Sequence, residues 1–353
     1  MKKFVCAMLI ISSNLFATSE NVINEVIHSV MKEKSIPGIA VAYFDGQHEV
    51  FYNFGLADVG ENIPVASDTI FAIASITKVF TSTQLAIEVL RGRMNLKDSV
   101  VKYLPALKNN RLALEQITLQ DLATHTSSLP RIPPPRKQGY NHQKVIQFLR
   151  NWNPSYPIGT KYLYSNLAFG VLGIAEGNAE KMDYMDLIRR DILTPLYMHS
   201  TMISVPTEFM KRYARGYDKD GGPAPHFALN AWPAGGALRS TPSDMMKFML
   251  ANLNLRGPEE LRKAMQLAQQ GIFEVNEHLT MGLGWQRFKG RGLLFVDKNG
   301  GVEGFSSYIG MVPDKRMGIV LLANKAKTQL TEVGREILAK IIHEQQQMQK
   351  QQH

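Results

Sequence analysis

Residues 281–322 read MGLGWQRFKGRGLLFVDKNGGVEGFSSYIGMVPDKRMGIVLL. Four apolar runs stand out, at 281–288, 293–296, 305–312 and 317–322. Glycines or a Pro-Asp pair separate them. Each run is too short for a helix and is bounded by turn residues, so each reads as a strand. Connections this short join neighbouring strands in antiparallel order. After the last run, residues 330–342 return to helical spacing.

The start of the chain mirrors this pattern. Val22, Ile23, Val26, Ile27 and Val30 recur at helical spacing and predict an amphipathic helix over 21–33, stopped by Ile36-Pro37-Gly38. Two strand-like runs follow, 38–43 and 48–54, joined through Asp45-Gly46, a hairpin signal. Residues 77–91 predict a helix that ends at Gly92. From 95 to about 267 the pattern is mainly helical with long loops, one of them Arg131-Ile132-Pro133-Pro134-Pro135. Thr241-Pro242-Ser243-Asp244 carries a cap, a first-turn proline and an acidic third position, so it opens a helix. The expected architecture is α/β (α+β): an antiparallel sheet flanked by N- and C-terminal helices, with an inserted helical domain. The α/β part would comprise 18–74 and 270–342, the insertion 75–269, and a frayed Gln-rich tail 343–353. A cleft between the two parts is the expected site.

The chain has 353 residues, 44% hydrophobic and 20% charged, an ordinary globular composition. Lys2 and Lys3, the uncharged run 4–11 and the small residue in Leu15-Phe16-Ala17 read as a secretory signal peptide over 1–17, too short to span a bilayer. The expected location is therefore periplasmic, without a stable membrane span. Cys6 is the only cysteine and would leave with that segment, which excludes a thiol nucleophile and a disulfide scaffold. The net charge is +9, spread without a dense basic run. It reads as a solvated basic surface, and no nucleic-acid recognition module is present. There is no H-E-x-x-H, no G-x-S-x-G, no Walker loop and no dinucleotide fingerprint.

Three short elements could carry chemistry. Ser75-Ile76-Thr77-Lys78 is an S-x-x-K at the start of a helix, where the dipole favours developing negative charge and Lys78 lies one turn on, on the same face. Ser29-Val30-Met31-Lys32 and Ser99-Val100-Val101-Lys102 match the same pattern, but in mid-helix and in a polar stretch. Tyr164-Ser165-Asn166 follows the turn at Pro157-Ile158-Gly159-Thr160. A tyrosine beside lysines can exchange protons as a general base, and Asn166 can donate to a carbonyl. Lys298-Asn299-Gly300-Gly301 ends an apolar run on a predicted strand edge, where glycines let a substrate approach an oxyanion-binding N–H. Lys219-Asp220-Gly221 shares the pattern but lies in a loop. Asp297 should face away from Lys298, because strand neighbours alternate.

In this order and spacing the three elements resemble the serine β-lactamase and penicillin-binding DD-peptidase superfamily, most closely class C β-lactamases. The resemblance extends to Phe148–Trp152 with Tyr156–Thr160, Val205-Pro206 through Tyr213–Tyr217, Gly282–Trp285, Gly304–Tyr308 and Leu322–Lys325, and covers roughly residues 25–342. It implies the same fold and a set of roles. Ser75 would be the nucleophile of an acyl-enzyme, and Lys78 would take or share its proton. Tyr164 would serve as general base or acid for the deacylating water. Asn166 would contact the substrate's side-chain amide. Lys298 would hold the Tyr164 hydroxyl and the substrate carboxylate. Asn299, Gly300 and Gly301 would line the substrate, with the N–H groups of Ser75 and Gly301 as oxyanion hole. No metal and no organic cofactor is implied. The partner would be a small β-lactam or a D-Ala-D-Ala peptide, and the protein would act as a monomer.

The chain departs from the class C pattern at three places. Asn299 stands where the family has threonine. Ala326 and Gln329 replace asparagines that follow Lys325 in class C. His125-Thr126-Ser127-Ser128-Leu129-Pro130 looks more like the penicillin-binding peptidases and esterases. The leading reading is a β-lactamase. The alternatives are a DD-carboxypeptidase or endopeptidase on peptidoglycan stems, an esterase, and a non-catalytic β-lactam sensor.

Overall fold

The computed structural model describes residues 2–107, 112–133, 141–225 and 232–351, the side chains of 2–17 and 112 excepted. Pro134 and Pro135 of the expected proline loop lie outside the described residues. The chain begins with α1 (Lys2–Lys34), β1 (Gly38–Phe44), β2 (Glu49–Asp58), β3 (Ile63–Pro64), β4 (Phe71–Ala72) and α2 (Thr77–Leu90). A helical stretch follows: α3 (Leu112–Glu115), α4 (Leu119–Ala123), α5 (His142–Asn151), α6 (Asn166–Glu180) and α7 (Tyr184–Ile188). After the short β5 (Arg239–Ser240), which pairs with β4, come α8 (Pro242–Asn252) and α9 (Glu259–Ala268). The C-terminal part is β6 (Phe273–Asn276), β7 (Leu279–Met281), β8 (Gln286–Gly290), β9 (Leu293–Val302), β10 (Phe305–Val312), β11 (Met317–Ala323) and α10 (Leu330–Lys350).

Among the described residues nine strands form one sheet in the order β3-β2-β1-β11-β10-β9-β8-β7-β6, each pair antiparallel. The two ends of the chain meet where β1 pairs with β11, Ile39 opposite Ala323 and Phe44 opposite Gly318. Central strands β1, β10 and β11 are buried along their whole length. Covered on both faces, they read as unbroken apolar runs rather than alternating ones. The pleat still sorts the residues. Ile39, Val41, Tyr43, Ile319 and Leu321 pack under α1 and α10 with Ile23, Ile27, Ile337 and Ile341. Ala40, Ala42, Val320 and Leu322 face the opposite way, into the core under α8 with Phe248 and Met249. Each fully buried Ile or Leu stabilises the fold by about 1.5–3 kcal/mol.

Three expectations need correction. Residues 281–288 are not one strand. The chain leaves the sheet after Met281 and returns at Gln286, because Leu283 and Gly284 donate instead to the carbonyls of Ala268 and Ala123, at 2.8 Å each. Gly284 has φ +71° and sits against α2, where a Cβ would meet Ser82 Oγ at 2.7 Å. The Gln-rich tail is not frayed: α10 runs on through Lys350. Glutamine, glutamate and lysine are good helix formers, and the helix is already nucleated upstream. Finally, the first helix is longer than its apolar stripe, reaching back to Lys2. The helix opened by Thr241 behaves as its sequence indicates, with Thr241 accepting from the Asp244 N–H and Pro242 in the first turn.

Candidate active site

Ser75 lies in a single 3-10 turn, Ala74–Ile76, that runs directly into α2. The residue before it, Ala74, has φ +48°. A non-glycine residue held there costs on the order of 1–3 kcal/mol and persists only where its surroundings fix it. Here they do. Ile73 N–H donates to the Leu238 carbonyl, and Ser307 Oγ of β10 donates to the Ile73 carbonyl at 2.8 Å. Strand β9 lies against the same turn. A Cβ on Gly300 would sit 2.4 Å from the Ile73 oxygen and 2.9 Å from Ser75 N, so only glycine fits.

The side chains converge on Ser75 Oγ. Tyr164 OH donates to it at 2.7 Å, and Lys78 Nζ at 3.2 Å. Lys78 is fully buried and also donates to Asn166 Oδ1 at 2.9 Å and to the Gly235 carbonyl. Burial first, and then the Arg131 charge, lower the Lys78 pKa well below the usual lysine range. Ser165 caps α6 by accepting from the Ala168 N–H, which places Tyr164 and Asn166 on either side of the helix start.

Lys298 comes from β9, but β9 is not an edge strand as expected. Its edge is local. Partner strand β8 ends at the Gln286–Asp297 pair, so from Lys298 onward only β10 is paired, and the free side faces the Ser75 turn. Among the described residues Lys298 Nζ, which is buried, has no hydrogen-bond partner, and it lies 5.0 Å from the centre of the Tyr164 ring. Burial, helped by Lys78, lowers its pKa, with Tyr164 and Asp297 opposing. Asp297 faces away and binds Arg335, so the two neighbours do not pair. Gly301 has nothing within 4 Å of where a Cβ would stand. It lines, with Asn299 and Gly300, a cavity of about 850 Å³.

The other copies of these motifs are elsewhere. Ser29 and Lys32 lie within α1. Ser99 caps a short 3-10 helix by accepting from Val101 N, and Lys219 pairs with Asp220. Sequence reasoning missed three contributors. The Gly235 carbonyl carries no sequence signal, because any residue has one. Arg131 places its guanidinium 5.1 Å from the Tyr164 ring centre. His125, noted only as a peptidase-like feature, packs its ring 4.5 Å from that of Tyr164 and accepts from Ser165 N through Nδ1 at 3.1 Å. Its pKa is well below the usual histidine value through burial, with Lys298, Lys78 and Arg131 adding to the effect. The ring is therefore neutral at physiological pH.

Comparison with known proteins gives a consistent picture. A family model described as Beta-lactamase matches residues 23–342. A Beta-lactamase from Psychrobacter immobilis is 29% identical, over 87% of this chain and 83% of its own. One from Escherichia coli (strain K12) is 29% identical, over 92% of this chain and 94% of its own. Among solved structures, a class C beta-lactamase in complex with cefoxitin superposes with a TM-score of 0.86 at 26% identity, covering 93% of this chain and 99% of that one. A Beta-Lactamase/D-Alanine Carboxypeptidase from Pseudomonas syringae gives a TM-score of 0.85 at 26% identity, covering 92% and 98%.

Proposed function

Since the chain belongs to the Beta-lactamase family and is a serine β-lactamase-type hydrolase, we propose that it opens the β-lactam amide through an acyl-enzyme on Ser75. The observation that carries this reading is the convergence of Lys78 Nζ and Tyr164 OH on Ser75 Oγ. A neutral lysine has two hydrogens and one lone pair. With the hydrogens on Asn166 Oδ1 and the Gly235 carbonyl, the lone pair is left for the Ser75 hydroxyl proton. The freed oxygen attacks the lactam carbonyl. The N–H groups of Ser75 and Gly301 meet the oxyanion. As the C–N bond breaks, the ring nitrogen takes its proton from Tyr164, which is left as a phenolate. Water then attacks the ester and gives a proton to the Tyr164 phenolate, while Ser75 leaves with the proton that Lys78 took from it, which restores the resting site. Lys298, buried and unpartnered, meets the substrate carboxylate, and Asn166 Nδ2 the side-chain amide. Asn299, Gly300 and Gly301 line the bound molecule.

D-alanyl carboxypeptidase activity is a second reading. It is favoured by the His125–Pro130 segment and by the Pseudomonas syringae relative, whose name carries both activities. The same nucleophile would serve. Export is part of the proposal: residues 1–17 would be removed and the protein would work in the periplasm as a monomer. Among the described residues, no helix is long and apolar enough to cross a membrane.

The test is incubation with benzylpenicillin and a chromogenic cephalosporin. The peptide containing Ser75 should gain the mass of the penicillin, and the cephalosporin should turn over. Ser75→Ala should do neither. An adduct on Ser29 or Ser99, or none at all, would overturn the assignment. Turnover of a D-Ala-D-Ala peptide with a stable penicillin adduct would favour the second reading.

A further inference from the structure

We propose that Arg131 selects substrates whose acyl side chain carries a second carboxylate. The inference rests on the acyl-enzyme reading above and concerns the same cavity. The Arg131 carbonyl accepts from the N–H groups of Asn166 at 3.0 Å and Leu167 at 3.4 Å, which fixes its position at the start of α6. Arg131 therefore stands beside Asn166, the residue assigned to the acyl-side amide. Its side chain is exposed, lies 5.1 Å from the Tyr164 ring centre and forms one wall of the 850 Å³ cavity. The Asn299–Gly301 stretch of β9 lines the same cavity.

Among the described residues Arg131 has no ion-pair partner. The acidic residues of the cavity are largely engaged elsewhere. Asp218 accepts from the backbone of Asp220 and Gly222, and Asp220 pairs with Lys219. Glu303 is the remaining acid on the wall. A guanidinium fork held by an aromatic ring and facing an open cavity matches a carboxylate in two parallel hydrogen bonds. Lys298 is fully buried and already assigned to the ring carboxylate, so Arg131 is a second, separate anion contact on the acyl side.

The experiment compares benzylpenicillin with its α-carboxy derivative, carboxybenzylpenicillin, which differs by one carboxylate on the acyl side chain. The second-order rate constant for acylation of Ser75 is read by mass spectrometry for each drug. Any effect of the Arg131 charge on Lys78 or Tyr164 acts on both drugs and cancels in the ratio. Arg131→Gln should lower the dianion-to-monoanion ratio by about tenfold, the scale of one charged hydrogen-bonded contact. Arg131→Glu should lower it further. A ratio within about twofold of the parent protein in both variants overturns the proposal. If neither drug acylates the parent protein, the acyl-enzyme reading fails and takes this inference with it.

Discussion

Asp297 and Lys298 are neighbours on one strand, and both are buried. Their surroundings differ completely. Asp297 accepts from Arg335 Nε at 2.7 Å, Arg335 Nη2 at 3.2 Å and Tyr308 OH at 3.0 Å, on the side covered by α10. Burial raises its pKa, and Arg335 and Tyr308 offset that rise only in part. Lys298, on the opposite face, has no hydrogen-bond partner among the described residues. Burying a charge is costly unless it is paired. Asp297 is therefore part of the scaffold: its charge is compensated within the protein and serves to lock α10 onto the sheet. Lys298 has no hydrogen-bond partner among the described residues and ends 5.0 Å from the Tyr164 ring centre, which leaves its donors for an arriving anion.

The largest effect is expected on the satisfied side. Arg335→Leu leaves the Asp297 carboxylate buried without its cation, at a cost of about 3–5 kcal/mol. Chemical denaturation should show that loss, while the protein that remains folded keeps its acylation rate. A loss below about 1 kcal/mol would mean that the pair is not compensated as described. On the unsatisfied side the outcome should invert. Lys298→Ala should lower kcat/KM by about 10²–10³-fold, the scale of removing one preorganised electrostatic contact. Its melting temperature should fall less than that of Arg335→Leu, because only the packing of the buried stem is lost and no hydrogen bond. Unchanged kcat/KM would remove β9 from the active site.

The same contrast explains what the sequence discloses. Strands β9, β10 and β11 and both flanking helices are legible because their apolar periods are strong and local. Ser75, Lys78, Tyr164 and Lys298 are legible as types in a spacing, yet two other S-x-x-K copies match equally, and only helix-start position favours Ser75. The break at Gly282–Trp285 is not legible. It depends on hydrogen bonds to Ala123 and Ala268, far away in the chain. The Gly235 carbonyl on Lys78 is hidden for the same reason. Ala74 at φ +48° is hidden too, since alanine rarely takes that conformation and tertiary contacts impose it. Partnering is a property of the fold, so the difference between Asp297 and Lys298 could be expected from strand alternation but not measured by it.

Glu176 tests whether an unpartnered buried group always signals function. It is fully buried on α6, both carboxylate oxygens lack partners among the described residues, and burial, then Glu88, raises its pKa well above the usual range. It escapes the cost by staying protonated. Below the ordinary carboxylate pKa, folded and unfolded chains both hold this proton, and stability is unaffected. As pH rises past that value the unfolded chain releases the proton while the folded chain keeps it, so stability falls until the folded pKa is passed. Glu176→Gln removes this loss. The variant should melt a few degrees higher than the parent at pH 8, with a smaller difference at pH 4.5. An equal difference at both values would show that packing, not titration, sets the effect. Acylation of Ser75 should be unchanged, which would separate Glu176 from the unpartnered Lys298.

The smallest effect belongs to Asn299, the residue after Lys298. It is exposed at the cavity, opposite Tyr308 in the β9–β10 register. Its backbone is held by the strand, so a substitution changes the side chain and little else. The class C pattern has a threonine hydroxyl at this position for the substrate carboxylate. An asparagine amide keeps a donor there, although on a longer arm. One neutral hydrogen bond exchanged for another is worth about 1 kcal/mol at most, and threonine also suits a strand better than asparagine. Asn299→Thr should therefore preserve β-lactam hydrolysis or raise kcat/KM a few-fold, with Lys298 still supplying the charge. Steady-state kinetics on a penicillin and on a D-Ala-D-Ala peptide would read it. A loss greater than about tenfold for the penicillin would mean that the amide makes a contact the hydroxyl cannot replace. The carboxylate site would then extend beyond Lys298.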